Sequence, residues 1–316
     1  MTMSSRSWLT IAGLYGVLAV FTGRAHASDA SPPPNSTNED TSALKWLSDN
    51  VSIAKTFTGT SKDEHAPASI AYENASPGSS SESVDLAIKG KFKDFALDSV
   101  HWSAAPTLEW HRSTLAATPV NKLGAALNLS SWVFLSQYGD FVGTDLQYKV
   151  ARDFVADNNP NSVVWRVYYH EGSRPGLWPG VHFKPADSEE LFYYLPSIGI
   201  DHYSKLKLTD TEFGKSVQLA PPLTATFFDA SLNFFINIFP NPLESRLTLN
   251  ADITYRRRLA GDTMIPESSN ATDLALTYYF NHSRTVGFGI DYQLGRDPDQ
   301  NFLNDHKVSI GLKVKL

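Results

Sequence analysis

The chain has 316 residues, with 27 Lys and Arg against 33 Asp and Glu for a formal charge of −6, and no cysteine. Without cysteine there is no disulfide scaffold, zinc ribbon, iron–sulfur cluster or thiol nucleophile, and the acidic balance argues against nucleic acid held on a basic face. Apolar residues at 42% and aromatics at 12% are too many for a disordered chain.

Residues 1–27 read as a secretory signal peptide. Arg6 supplies the positive start, Trp8 to Phe21 the apolar stretch, and Ala25-His26-Ala27 a small-residue cleavage site before Ser28. As a helix, the apolar stretch would span roughly 21 Å, short of a hydrocarbon core of about 30 Å. Residues 28–50, which contain Pro32-Pro33-Pro34, read as a flexible Ser/Pro-rich leader. No later stretch is long and apolar enough for a membrane helix. A closed β-barrel is the other way to satisfy backbone groups in lipid.

From Val51 onward the dominant period is two. Ser83–Lys93 sets Val84, Leu86, Ile88 and Phe92 against Asp85, Lys89, Lys91 and Lys93. The same alternation runs through Leu123–Val133, Val142–Val150, Val163–His170, Leu232–Ile238, Arg246–Arg256 and Val286–Leu294. Such runs predict strands with one apolar face. Weaker candidates are Val51–Thr58, Pro67–Asn74, Ala104–His111, Ser197–Leu208, Lys215–Phe227 and Thr272–Phe280. The final segment, Lys307–Leu316, places Val308, Ile310, Leu312, Val314 and Leu316 on one face and Lys307, Lys313 and Lys315 on the other.

That last strand resembles the C-terminal strand of Gram-negative outer-membrane β-barrels, which alternates apolar residues and ends on one; here the terminal residue is Leu316 rather than the usual Phe or Trp. The resemblance is to a porin-like class and not to a specific family. It implies an all-β fold, a single antiparallel transmembrane β-barrel over residues 51–316. It also implies export to the bacterial outer membrane, contact with outer-membrane lipids and lipopolysaccharide, and recognition by the barrel-assembly machinery. Val308, Ile310, Leu312, Val314 and Leu316 would carry that assembly signal.

Counting links back from the end gives long (Gly295–His306), short (Asn281–Arg284), long (Arg257–Ala271) and short (Pro240–Glu244), as loops alternating between the two barrel ends would. His170–Glu190 is read as a further outside loop. The candidate strands, with one or two spurious, fit 12 or 14 barrel strands. A secreted β-sandwich would share the period but turn its apolar face inward. Run lengths near those of a tilted membrane crossing and aromatics near strand ends favour the barrel. The aromatic clusters are Tyr168-Tyr169, Phe192-Tyr193-Tyr194, Phe227-Phe228 and Tyr278-Tyr279-Phe280.

If the apolar face meets lipid, the other face lines a lumen. The expected lining includes Lys89, Lys91, Lys93, Lys149, Arg166, His170, Arg246, Asp252, Arg256, Asp291, Lys313 and Lys315, with Asp85, Glu109, His111 and Asp145 beside them. This is a wall of mixed charge with a basic excess. Such a wall can hold water and select small solutes by sign, and successive Lys89, Lys91 and Lys93 would form an anion-attracting stripe. The leading expectation is a channel for small hydrophilic, possibly anionic, solutes. Two alternatives stand beside it. Barrel lipid hydrolases place a His–Ser pair on the lipid side, and the local set here is His170-Glu171-Gly172-Ser173. An adhesive or structural barrel would act through outer loops, with His170–Glu190 and Arg257–Ala271 as candidates. No metal or cofactor motif is present, so neither is expected.

Overall fold

The computed structural model describes residues 50–55, 67–75, 79–92, 94–114, 120–136, 139–155, 157, 159–171, 179–181, 183, 191–206, 209–210, 217–218, 223–238, 246–281, 284–296 and 304–315. The signal peptide and nearly all of the leader lie outside the described residues, as do Lys93, Ser173 and Leu316. In chain order the strands are β1 (Val51–Ala54), β2 (Ala68–Ala75), β3 (Ser79–Gly90), β4 (Phe95–Leu97), β5 (Val100–Ser113), β6 (Val120–Phe134), β7 (Phe141–Asp153) and β8 (Asn161–His170). They continue with β9 (Phe192–Leu206), β10 (Thr209–Asp210), β11 (Val217–Gln218), β12 (Leu223–Asn237), β13 (Leu247–Gly261), β14 (Ser268–Tyr279), β15 (Val286–Arg296) and β16 (Asn304–Val314). Among the described residues no helix is long and apolar enough to cross a membrane, which says nothing of strands.

Twelve of the strands close on themselves in the order β3, β2, β16, β15, β14, β13, β12, β9, β8, β7, β6, β5 and back to β3. Every pairing is antiparallel, and the closure removes exposed sheet edges. β1 adds no thirteenth position. It pairs with Ala87–Gly90 of β3, next to the stretch Ser79–Asp85 that pairs with β2. β1 and β2 therefore share one line of the wall, interrupted between Ala54 and Pro67. β4 likewise continues the line of β3, along Val100–Trp102 of β5. β10 and β11 form a separate two-stranded ribbon in the β9–β12 link.

The faces are sorted as lipid demands. Leu108 is 50% exposed, Leu127 44% and Ile198 57%, while Glu109, Asn128 and Asp201, one to three residues away on the same strands, are 0–1% exposed. A soluble sandwich would show the reverse. Most of the barrel strands run ten to fifteen residues, enough to cross a bilayer at a tilt.

The fourteen sequence candidates reduce to twelve by two mergers. Val51–Thr58 and Pro67–Asn74 become the shared line of β1 and β2. Lys215–Phe227 and Leu232–Ile238 become the single strand β12. Asp229 does not break β12 because it turns inward, where cations receive it. The second merger removes a turn, so the wall upstream changes direction. The link between β8 and β9 therefore lies at the mouth where β16 ends, with the short links, and not at the opposite mouth as expected of His170–Glu190. The Arg257–Ala271 link is also shorter than expected: β13 and β14 extend until only residues 262–267 connect them. Its Ile265 is buried against Tyr203, Leu206, Leu223, Ala225 and Phe227. Asp262 N donates to the Thr224 carbonyl at 2.9 Å, and Arg258 donates to the carbonyls of Asp262 and Ile265. That connection packs inward as a clasp at Ile265.

The aromatic clusters split by the same alternation. Tyr193, Phe227 and Tyr279 are buried on the inner face. At the mouth where β16 ends, Phe192, Tyr194 and Phe234 group on the outer face, with ring centroids at 5.0 and 5.5 Å, as do Tyr278 and Phe280 at 6.3 Å. Amphipathic rings at this level suit a lipid–water boundary.

Candidate functional site: a charge-lined lumen

Neighbouring strands bring polar residues into register on the inner wall. One row of directly paired positions runs Ser103, Ser130, Asp145, Arg166, Gly199, Asp229, Arg256 and Ser269 through eight consecutive strands. Because the strands tilt, this row climbs the wall as it circles. Ser130 Oγ donates to Asp145. Arg166 Nε donates to Asp229 Oδ1 at 3.2 Å, and Arg256 Nε lies 3.5 Å from Asp229 Oδ2 and donates to Asp201 Oδ2 at 2.9 Å. Two guanidiniums and two carboxylates thus share a buried site spanning β8, β9, β12 and β13.

A second network lies on β3, β5 and β7. His111 Nδ1 is 2.9 Å from Asp85 Oδ1, and its Nε2 is 3.6 Å from Glu109 Oε2. Lys149 Nζ completes the chain, 2.6 Å from Glu109 Oε2. Amides extend it: Gln147 Nε2 donates to Asn128 Oδ1 at 2.8 Å, and Asn128 Nδ2 donates to Thr107 Oγ1 at 2.7 Å. On the opposite arc, Lys313 pairs with Asp291, Gln293 Nε2 donates to Asp273 Oδ2 at 3.0 Å, and Asn233 Nδ2 donates to Asp252 Oδ1 at 2.5 Å.

Three of these contacts depend on missing side chains. A Cβ at Gly124 would stand 3.2 Å from Lys149 Cε, one at Gly199 3.0 Å from Arg166 Cγ, and one at Gly289 3.0 Å from Lys313 Cε. Each glycine leaves a shallow trough through which a long cation lies flat against the wall on its way to a carboxylate. Arg166 crosses β9 to reach β12, and Lys149 crosses β6 to reach β5. Apart from Lys55, the lumen ion pairs named so far run around the circumference over one or two strands, so they brace the wall without spanning the interior.

Lys55 is the exception. It follows β1, on the line of β2, and its ammonium pairs with Asp273 on β14, three strands along the ring. Interstrand steps of about 4.8 Å put such wall positions roughly 14 Å apart, beyond a lysine's four-carbon stem. The Lys55 and Asp273 side chains therefore meet across the interior of the ring and not along its wall. Its ammonium also interacts electrostatically with Asp85 on β3 and Asp291 on β15.

The structure turns Lys89, Lys149, Arg166, Asp252, Arg256, Asp291 and Lys313 inward, as the alternation requires. Lys91 is different: β3 stops at Gly90, and Lys91 pairs with Asp94 at 3.1 Å, half-exposed at the mouth. With Lys93 outside the described residues, the expected stripe of three lysines reduces to Lys89. His170 stacks on Phe141 at 4.5 Å at the end of β8. It continues an inner aromatic arc in which Phe134 meets Phe141 at 6.0 Å and His101 stacks on Trp132 at 5.7 Å. Arg246 and Lys315 sit at the same mouth: Arg246 Nη1 donates to the Phe280 carbonyl at 3.4 Å, and Lys315 N to that of Thr285 at 2.8 Å. Val308 and Ile310 face outward and are exposed, and Leu312 and Val314 are half-buried.

Sequence reasoning missed Lys55, Asp201, Asp229 and Asp273 as lining residues, because they sit on or beside its weaker candidate strands. It also missed the outer-face pair His202 and Thr226, with Nδ1 and Oγ1 3.0 Å apart. Ser204 shares that face two residues on, opposite Asn161 of β8. The spacing His202-Tyr203-Ser204 is visible in the sequence, but the weak strand gave no sign of its face. Among the described residues no group of three or more His, Asp or Glu side chains is placed to hold a metal ion.

A closed, even-stranded antiparallel barrel with an apolar exterior and a charged interior defines the outer-membrane β-barrel class. No protein-family model matches the chain, and no curated protein matches it. Among solved structures, the β-domain of the Bordetella autotransporter BrkA is similar at 10% identity and a TM-score of 0.39, covering 84% of this chain and 98% of that one. The NanC porin is similar at 11% identity and a TM-score of 0.41, covering 79% and 98%. The translocator domain of the autotransporter NalP from Neisseria meningitidis is similar at 11% identity and a TM-score of 0.38, covering 98% of each chain.

Proposed function

We propose that the protein is an outer-membrane channel that passes small hydrophilic solutes through a narrow lumen. One observation supports this above others: the inner face carries polar and charged side chains in register through eight consecutive strands, and Lys149, Arg166 and Lys313 lie along the wall over glycine troughs instead of across the interior. The structural inventory alters the expected preference for anions. Asp201, Asp229 and Asp273 join Asp85, Glu109, Asp145, Asp252 and Asp291 on the inner face and offset the bases. The reading is therefore a channel of near-balanced wall charge. Refolded protein in planar lipid bilayers should give discrete, small, ohmic current steps in KCl. Current indistinguishable from empty bilayers, from protein whose barrel is folded by heat-modifiable gel migration, would overturn it.

A second reading, lipid hydrolysis, is favoured by the outer-face set alone. His202 held through Nδ1 by Thr226 would leave Nε2 as a base beside Ser204, at the lipid boundary where ester substrates lie. The expected His170 and Ser173 pair lacks this placement, since His170 lies in the inner arc. His202-Tyr203-Ser204 resembles the His-x-Ser of outer-membrane phospholipases but departs from that pattern farther on, where Ser216 stands in place of its Asn. On this reading, fatty acid release from phosphatidylglycerol vesicles should vanish with Ser204→Ala and persist with Ser197→Ala. No release by the unaltered protein would remove the reading.

A further inference from the structure

We infer that Lys55 is a tethered internal counter-ion that sets the ion preference of the lumen. The inference rests on the channel reading and specifies its selectivity. Asp252 and Asp273 are directly paired positions on β13 and β14. Two carboxylates side by side on a lumen wall attract cations, and Asp291 of β15 and Asp85 of β3 flank them on the same interior. Asp291 is matched by Lys313, and Asp85 by His111. Asp252 and Asp273 receive amide donors from Asn233 and Gln293, which carry no charge. The one cation in direct contact with this pair among the described residues is Lys55, on Asp273; it interacts electrostatically with both acids, while Arg166 acts on Asp252 and Lys313 on Asp273 from farther away.

The connection matters as much as the charge. Lys313, Lys149 and Arg166 reach their acids from strands of the wall, along glycine troughs that fix them there. Lys55 reaches Asp273 from three strands along the ring, with its side chain only 9% exposed. It occupies the position a mobile cation would take between facing carboxylates, and it cannot diffuse away. With Lys55 in place the four carboxylates of the arc from Asp85 to Asp252 face Lys55, Lys313 and His111, close to balance. Without it the same arc presents excess negative charge across the conduction path, so cations would be favoured over anions.

The experiment is a reversal potential under a KCl gradient, with full-length protein refolded in planar bilayers. Lys55→Gln should raise the permeability of K⁺ over Cl⁻ several-fold, Lys55→Arg should match the unaltered protein, and Lys55→Gln with Asp273→Asn should return toward it. An unchanged ratio in Lys55→Gln would overturn the inference while leaving the channel reading intact. A second measurement does not depend on conduction. Since the chain has no cysteine, Lys55→Cys with Asp273→Cys gives a clean reporter. Because a disulfide needs Cα atoms within about 7 Å, the two thiols are joined with a bifunctional maleimide of about a lysine's length; a linked pair should shift gel migration in the folded barrel, whereas failure to link would show that Lys55 does not reach β14 and would also overturn the inference. Cross-linking without any current in any variant would instead sink the channel reading, and with it the selectivity.

Discussion

Replacing Asp229 with alanine should cost the folded barrel about 3–5 kcal/mol, the penalty expected when one partner of a buried ion pair is removed and its cations remain. Asp229 is fully buried and receives Arg166 from β8 and Arg256 from β13, with a further hydrogen bond from Ser231 at 3.2 Å. Arg256 keeps Asp201, but Arg166 would lose its hydrogen-bonded carboxylate and keep the charge of Asp145 and Asp201 nearby. Urea titration of the barrel refolded in lipid vesicles should move the midpoint to lower denaturant at unchanged slope. Asp229→Asn, which keeps an acceptor, should lose less. Asp94→Asn provides the contrast: Lys91 and Asp94 are 34% and 42% exposed, and pairs of this kind contribute between zero and about 1 kcal/mol. Equal midpoints for Asp229→Ala and Asp94→Asn would refute the account of the lumen as a buried, mutually dependent network.

Leu127→Arg should be nearly as damaging for the opposite reason. Leu127 is the eighth of the fifteen residues of β6 and points outward. A guanidinium at the bilayer midplane costs about 2–4 kcal/mol on the lipid face of a barrel, falling to about 0–1 near the interfaces. Asn128 faces the lumen one residue along, so Asn128→Arg would meet polar side chains and paired charges instead of acyl chains. Refolding in vesicles should therefore rank the variants by the face they occupy. Were Leu127→Arg as stable in lipid as the unaltered chain, the apolar exterior would not be membrane-facing.

Where the alternation is clean, the sequence carries the fold without help. β6, β15 and β16 follow period two from end to end, and their orientation, pairing direction and polar lining follow from that. It fails where a strand contains a residue whose partner is distant. Asp229 resembles a break because nothing near it in the chain can satisfy a carboxylate; Arg166, 63 residues earlier, supplies what is missing. Reading Lys215–Phe227 and Leu232–Ile238 as two strands on either side of it reversed the upstream wall and put the β8–β9 link at the wrong mouth. Lys55 and Asp273, 218 residues apart, are invisible to any local pattern. The glycines at 124, 199 and 289 were legible only as gaps in apolar alternation, and their role as troughs depends on which long side chain the register lays across them. The lysine stripe failed for a local reason: alternation in Lys89, Lys91 and Lys93 says nothing about where pairing with β5 stops.

The wall has one short stave. β2 is eight residues long, and it joins β16 only from Ala68↔Val314 to Ala75↔Lys307, whereas β12 and β13 stay in step from Ala225↔Gly261 to Asn237↔Thr248. Resistance to unzipping in a hoop is set at its shortest join, so amide protons of β2 should exchange with deuterium ahead of those of β12. Any sideways parting of the ring toward the bilayer would begin there, and during assembly that join would be the last to be fastened.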